Sequence, residues 1–349
     1  MGKSFIPSVI RRTVLMIAFL AFLVGCEPKP VYPLHVEGTA LLDSQGDTVV
    51  LRGISYGWHN LWPRFYNSSS VKYLIRSSEC NVVRFSMGVD DLTSENGEIA
   101  KGYLSDPALG WGCVTESVDV AIKEGVYAII DWHSHKIHKD EAVTFFDAVS
   151  KLYAGVPNVI YEIFNEPVDD SWHDVKRYSE AVIDAIREND PDALILVGSP
   201  HWDQDIDLPA ADPIKNKGNI MYTVHFYAGT HGDELRTKAQ KAMEKNIPIF
   251  ISECGAMDAD GQGELSWESW EKWLDWSDKN SISLVLWSIS DKDETCSMLL
   301  PSARSHGGWD DKDLSEWGLY SRSFAQDYAK KHPLQRPEKN SSPEDGQEE

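Results

Sequence analysis

Beyond residue 49 the chain alternates short apolar runs with longer amphipathic segments. Runs at 49–55, 82–87, 127–133, 159–167, 194–199, 220–227, 249–255 and 284–289 are rich in β-branched and aromatic residues at consecutive positions, the composition of strands buried on both faces. Segments with apolar residues at helical spacing follow most of them, at 69–78, 114–123, 141–153, 175–188, 234–245, 267–279 and 315–330; after 194–199 there is a loop carrying Trp202 instead. Alternating βα units with doubly buried strands imply a parallel sheet, and eight of them predict a closed (β/α)8 TIM barrel. An open doubly wound sheet fits less well, because no Gly-rich phosphate loop follows any strand and polar residues end many strands rather than flanking one crevice. Ahead of the first unit, two short alternating segments flank Asp43-Ser44-Gln45-Gly46-Asp47, which predicts a short N-terminal β-hairpin.

The ends of the chain read differently. Residues 1–25 carry Lys3, Arg11 and Arg12, then an apolar run too short to span a bilayer, the pattern of a signal peptide. Leu23-Val24-Gly25-Cys26 has the form of a bacterial lipobox, so Cys26 is the expected lipidation site; ordinary secretion is the alternative. The expected organisation is a leader at 1–25, a lipid-anchor tether at 26–33, the barrel at 34–331 and a disordered acidic tail at 332–349. A formal charge of −22 argues against nucleic acid or anionic lipid heads as partners and favours a neutral substrate. Cys80, Cys113, Cys254 and Cys296 are too few for a disulfide-built fold, though one bridge is conceivable, and their spacing offers no zinc motif.

In a (β/α)8 barrel the C-terminal strand ends form the working face. Here they carry Arg84 on the second strand, Asp131-Trp132-His133 on the third, Asn165-Glu166 on the fourth, His225 and Tyr227 on the sixth, Glu253 on the seventh and Trp287 on the eighth. Two glutamates delivered by two strands suit acetal hydrolysis, in which one carboxyl donates a proton to the leaving oxygen while the other, ionised, attacks or stabilises the developing cation. Arg84 beside Glu253 would keep that residue charged, and the nearby carboxylate would raise the pKa of Glu166. Tyr227 is placed to hydrogen-bond the nucleophile, and His225 and His133 to tune the pair or hold its partners. Trp287 and Trp202 offer apolar faces to sugar rings.

Asn165-Glu166-Pro167 with Ser252-Glu253-Cys254-Gly255 resembles glycoside hydrolase family 5, its bacterial endoglucanase branch in particular. Val82-Val83-Arg84, Asp131-Trp132-His133, the run from Trp202 to Asp207, that from His225 to Gly232 and that from Trp287 to Glu294 extend the likeness in the expected order, over residues 34–330. The resemblance implies a retaining endo-β-1,4-glucanase with Glu166 as acid/base, Glu253 as nucleophile and Asn165 at the sugar 2-hydroxyl. It further implies that Arg84, His133, His225 and Tyr227 surround them, with Trp287 beneath the reacting sugar, Trp202 on the leaving-group side, and Lys292 with Glu294 gripping a sugar on the other. The branch often carries His-Gly-Leu-Gln-Trp after the first strand. This chain has Trp58-His59-Asn60-Leu61-Trp62, so His59 and Trp62 are the expected equivalents, one residue out of spacing. Cys254 reads as a small packed residue rather than a reactive thiol.

No cofactor or metal is expected, and the protein is expected to be a monomer whose partner is a polysaccharide. His133-Ser134-His135 with His138 raises a metal-dependent hydrolase as a rival, although barrel hydrolases of that type place such a pair on the first strand. A surface lipoprotein that captures glycan without cleaving it is a second rival. Among substrates, cellulose and mixed-linkage β-glucan stand first, with mannan and xyloglucan left open. Export and attachment at the bacterial cell envelope complete the expectation.

Overall fold

The computed structural model describes residues 29–94 and 96–337; the leader, Cys26 and the end of the acidic tail lie outside the described residues. In chain order the strands are β1 (Leu34–Glu37), β2 (Ala40–Asp43), β3 (Arg52–Tyr56), β4 (Val82–Gly88), β5 (Leu92–Thr93), β6 (Ile99–Ala100), β7 (Tyr127–His133), β8 (Val159–Glu162), β9 (Leu194–Val197), β10 (Ile220–Tyr227), β11 (Ile249–Gly255) and β12 (Leu284–Ile289). Strands β3, β4, β7, β8, β9, β10, β11 and β12 pair in parallel and close into a barrel. The eight predicted strands are these eight. The apolar run at 159–167 outlasts its ladder, which ends at Glu162, so Asn165 and Glu166 stand on the strand's exit rather than within it.

Helices follow the strands: α1 (Ser68–Ser78), α2 (Pro107–Glu124), α3 (Lys139–Leu152), α4 (Trp172–Asn189), α5 (Asp233–Met243), α6 (Trp267–Lys279) and α7 (Glu316–Lys331), with two short helical turns after β9. Side chains of Asn67, Asp106, Ser171 and Ser315 accept the first free amides of α1, α2, α4 and α7. Gly125 ends α2 at a φ of +74°, where an added Cβ would also meet Lys29. No described helix is long and apolar enough to cross a membrane.

The N-terminal hairpin is present, but its turn is Gly38-Thr39, between β1 and β2. Asp43-Ser44-Gln45-Gly46-Asp47 forms the next turn, in which the Asp43 carboxylate accepts the amides of Gln45 and Asp47. Leu34 and Leu41 from this hairpin, with Val31, join Val82, Tyr127, Ile129, Ile160, Leu194, Leu196, Met221, Phe250 and Val285 in an apolar plug filling the lower barrel. The stretch expected to be a tether is therefore partly core. At the other terminus Arg336 donates to the carbonyls of Pro30 and Gly125, so the first residues of the expected disordered tail lie against the barrel.

Alternation along each strand divides inward from outward residues. On β4, Val82 faces the plug, Val83 and Phe85 join the outer core, and Arg84 and Ser86 point inward above Val82. The barrel interior thus passes from apolar at the bottom to polar at the top. The outer core is rich in aromatic pairs, and one of them secures the polar layer. Phe226, between His225 and Tyr227, stacks on Trp273 of α6 at a centroid distance of 3.9 Å and 9°. Trp273 is fully buried and its indole N–H donates to the His231 carbonyl. Trp273→Ala is expected to cost about 3–5 kcal/mol in chemical denaturation, and Trp273→Phe distinctly less.

Candidate active site

The polar upper layer is built round Arg84, which is fully buried. Its Nε donates to Glu162 Oε2 at 2.6 Å, Nη1 to Glu253 Oε2 at 3.0 Å and Nη2 to Asn165 Oδ1 at 2.6 Å, with Asp131 Oδ2 at 2.9 Å from Nη2. One guanidinium therefore ties β4 to the ends of β7, β8 and β11. The fork suits this, since five donors in one plane can reach several acceptors at once.

Glu253 receives a second grip from Tyr227, whose hydroxyl donates to Oε1 at 2.7 Å. Its orientation depends on an irregularity in β11. The pairing with β10 runs Thr223 to Phe250 and then His225 to Glu253, so β11 carries one extra residue there. The bulge lets neighbouring Ser252 and Glu253 both face the barrel interior, where strict alternation would have turned one outward. Ser252 Oγ donates to Glu162 Oε1 at 2.6 Å and, having given up its only proton there, accepts from His225 Nε2 at 2.9 Å. Cys254 faces the outer core. All four described cysteines are buried free thiols.

Glu166 lies between two histidines. His225 Nδ1 is 2.9 Å from Oε1, and His135 Nε2 is 3.2 Å from Oε2. Burial alone would raise the pKa of Glu166, but the bonds to His135 and His225 outweigh it and hold the carboxyl well below the usual range. Burial and the neighbouring Glu166 charge raise Glu253. This reverses the expected asymmetry: in the free site the imidazoles of His135 and His225 compete for the proton that the second carboxylate was expected to press onto Glu166. Burial opposes charge on His225 too, yet Asp203, Glu162 and Glu166 raise its pKa well above the ordinary value.

The cleft above these groups has a volume of about 1010 Å³ and is lined by Glu166, Glu253, Tyr227, His133, His135, Trp287, Lys292 and Glu294. Trp287 lies parallel to His133 at 5.3 Å, and Lys292 is ion-paired with Glu294. His133 is held by Asp131 through Nδ1, and burial together with Arg84 pushes its pKa down. Asn165 is buried, its oxygen engaged by Arg84 and its NH2 without a partner. Trp202 is 41% exposed and lies next to the Glu166 exit, its amide donating to the Pro167 carbonyl, but outside the cleft lining. His201, Trp202 and Asp203 all adopt positive φ, held there by Asp203, which accepts from the Ser199 amide and the Thr223 hydroxyl. A second cavity, about 610 Å³, surrounds Arg52 and Asp278 at the opposite end of the barrel.

His59 is a correction. Its exposure is 0%, neither ring nitrogen has a partner, and burial pushes its pKa down to about 4. Its amide is fastened to the Ser86 carbonyl, and the turn in which Leu61 and Trp62 donate to the Trp58 carbonyl brings Trp58 and Trp62 to the cleft instead. Trp58 and Trp62 stand four positions apart, the spacing that His59 and Trp62 lack. Sequence reasoning gave no part to Glu162, Asp203 or Ser252, read His135 only as a possible metal ligand, and missed the wall supplied by the β5–β6 hairpin, from which Thr93, Ile99 and Ala100 line the cleft. Tight strand-end polarity could have flagged Glu162 and Ser252; nothing local distinguishes Asp203.

Glu166, His225 and Glu253 offer ligand atoms within 4.8 Å of one another. A cation there would sit beside the Arg84 guanidinium, which already holds Glu253, so the donor set suits proton transfer better than metal binding. His133, His135 and His138 face three different carboxylates, of Asp131, Glu166 and Asp90. They do not converge as a ligand set.

A family profile described as Cellulase (glycosyl hydrolase family 5) matches residues 42–293. Endoglucanase Z of Dickeya dadantii is 40% identical over 304 residues, spanning 85% of this chain and 67% of that protein. Endoglucanase A of Evansella cellulosilytica is 38% identical over 292 residues, spanning 81% and 58%. The chain thus spans roughly three-fifths to two-thirds of these relatives' length. Among solved structures, one from Cytophaga hutchinsonii superposes with a TM-score of 0.80 at 42% identity, covering 84% of this chain and 95% of that one. The catalytic domain of an endoglucanase from Thermobifida fusca, in complex with cellotetraose, gives 0.76 at 30% identity, covering 84% and 97%.

Removing the guanidinium would strand three buried carboxylates. Arg84→Ala is expected to lower stability by about 3–5 kcal/mol, read as a fall in the denaturant midpoint at neutral pH. Arg84→Lys restores the charge but not the fork, and should recover only part of the loss.

Proposed function

The chain belongs to glycosyl hydrolase family 5, and on that premise we propose that it is a retaining endo-β-1,4-glucanase acting on internal bonds of cellulose or mixed-linkage β-glucan. The observation that carries the reading is a pair of carboxylates from two strand ends, with oxygens within 4.8 Å, at the floor of an open cleft. That separation supports retention, which needs carboxyl groups about 5–5.5 Å apart, rather than inversion, which needs about 6.5–9.5 Å.

Glu253 is the nucleophile. Arg84 and Tyr227 hold its two oxygens and stabilise the charge until it attacks the anomeric carbon. Glu166 donates its proton to the departing glycosidic oxygen as the C–O bond breaks, leaving a glycosyl ester on Glu253. Water then attacks the same carbon, Glu166 takes the water's proton, and the ester bond to Glu253 breaks. The unpartnered Asn165 NH2 supports a contact to the sugar 2-hydroxyl. Trp287, Trp58 and Trp62 supply apolar surfaces for sugar rings on one side of the scissile bond, with Lys292 and Glu294 as polar grips, and Trp202 extends the other side. A protein that only captured glycan would have no use for the Tyr227 hydroxyl held on Glu253. The leader pattern and Cys26 support export and a lipid anchor, which would keep the enzyme at the cell envelope.

Purified protein is expected to release reducing ends from carboxymethylcellulose and barley glucan faster than from galactomannan and xyloglucan, with NMR showing the β-anomer first. Binding without release would favour the capture reading, and first appearance of the α-anomer would refute retention. Glu166→Ala should slow hydrolysis of oligosaccharides by about 10²–10⁴-fold while sparing glycosylation by dinitrophenyl cellobioside, whose leaving group needs no proton. Equal loss on both substrates would remove the acid role.

A further inference from the structure

We infer that His135 is a positioning residue for the acid step: it holds the working oxygen of Glu166 and shares with it the one proton delivered to the leaving group. The inference rests on Glu166 being the acid of the proposed reaction.

The two oxygens of Glu166 are not equivalent. Oε1 is held by His225, a ring whose side chain is 2% exposed and whose other nitrogen is engaged by Ser252. Oε2 faces His135, whose side chain is 41% exposed on the cleft. Only Oε2 therefore has a partner that can yield to an incoming glycosidic oxygen. The backbone fixes the pair's spacing, because the Glu166 amide donates to the Ser134 carbonyl at 3.3 Å, one residue before His135. Trp58 limits the ring on another side, its centroid 5.6 Å away in an edge contact.

The charges facing His135 favour its imidazolium. Glu166 lies on the β8 exit, Glu253 on β11 and Asp90 beyond β4; His133, at the end of β7 two residues before His135, opposes them, and His225 and Arg84 stand behind Glu166 and Glu253. Burial also works against the charge, but the hydrogen bond and charge of Glu166, helped by Glu253 and Asp90, prevail and raise the His135 pKa. An imidazolium beside a carboxylate and a neutral imidazole beside a carboxylic acid hold the same single proton. During glycosylation that proton passes from Oε2 to the leaving oxygen, the C–O bond breaks and the bond to Glu253 forms. During deglycosylation the water oxygen bonds to the same carbon, the bond to Glu253 breaks and frees its carboxylate, and the water's proton passes to Oε2 and settles again on His135 Nε2. No other reactant is needed.

Acid assistance should accordingly persist above the ordinary carboxyl range and fade as His135 loses its proton. The test compares kcat/KM against pH for the full chain and its His135→Gln and His135→Ala variants, on a cellooligosaccharide and on dinitrophenyl cellobioside. Both variants are expected to move the basic limb down by about one pH unit or more on the oligosaccharide and much less on the aryl substrate. An unmoved limb in both, or its restoration by His135→Gln, would overturn the inference. NMR supplies a readout independent of turnover. The His135 ring should titrate above about 6.5 in the free protein and fall towards that value in Glu166→Gln; titration at or below it in the wild type also overturns the inference. If Glu166→Ala fails to discriminate between leaving groups, the assignment of the acid fails, a result separable from the His135 titration.

Discussion

A single buried cation sets the terms for the upper half of this barrel. Arg84 is the meeting point of Asp131, Glu162, Glu253 and Asn165, contributed by three other strands. Carboxylates so deeply buried would ordinarily take up protons or force the barrel open, since each loses the hydration that stabilises its charge. The guanidinium opposes this by direct bonds, enough with His225 to lower the pKa of Glu162 though not to cancel the rise at Asp131 and Glu253, and its planar donors impose directions on the acceptors. The polar layer consequently holds its shape above an apolar plug that closes the barrel from below. The plug makes the bottom dry and rigid, and Arg84 makes the top chargeable.

From that arrangement follows the division between the two glutamates. Glu253 is held on the Arg84 side and by Tyr227, while Glu166 lies between two imidazoles whose pKa values its own carboxylate helps to raise. A pair of carboxyl groups in identical settings could not differ in proton affinity. The histidines supply the difference, and Ser252, by giving its proton to Glu162, compels His225 to donate from Nε2. The outer packing reaches into this chemistry as well, because the Phe226–Trp273 stack holds the strand segment on which both His225 and Tyr227 stand.

Along the cleft, chain-local turns matter as much as the barrel. The turn after β3 presents Trp58 and Trp62 on one side and buries His59 on the other, and the small β5–β6 hairpin adds Ile99 and Thr93 to the wall. The left-handed residues from His201 to Asp203 place Trp202 beside the exit of β8. These irregular pieces shape the walls of the cleft, whereas the strands fix the two glutamates at its floor.

By itself the amino-acid order determined the eight strands, the helices between them, and the arrival of Arg84, Glu166, Tyr227, His225 and Glu253 in one polar layer, because doubly buried strands demand continuous apolar runs and the charged residues that interrupt them must meet one another. It also carried enough spaced motifs to resemble one family. Three things were decided by tertiary structure alone. The bulge in β11 turns both Ser252 and Glu253 inward, a departure from alternation that no residue in that strand announces. The turn after β3 exchanges His59 for Trp58 at the cleft, since which side of a turn is buried depends on β4 beneath it. The proton preference of Glu166 was reversed by His135 and His225, which lie 31 and 59 residues away in the chain yet within hydrogen-bonding distance in space. Electrostatic balance in a buried site depends on distances of a few ångströms, and those exist only once the barrel has closed.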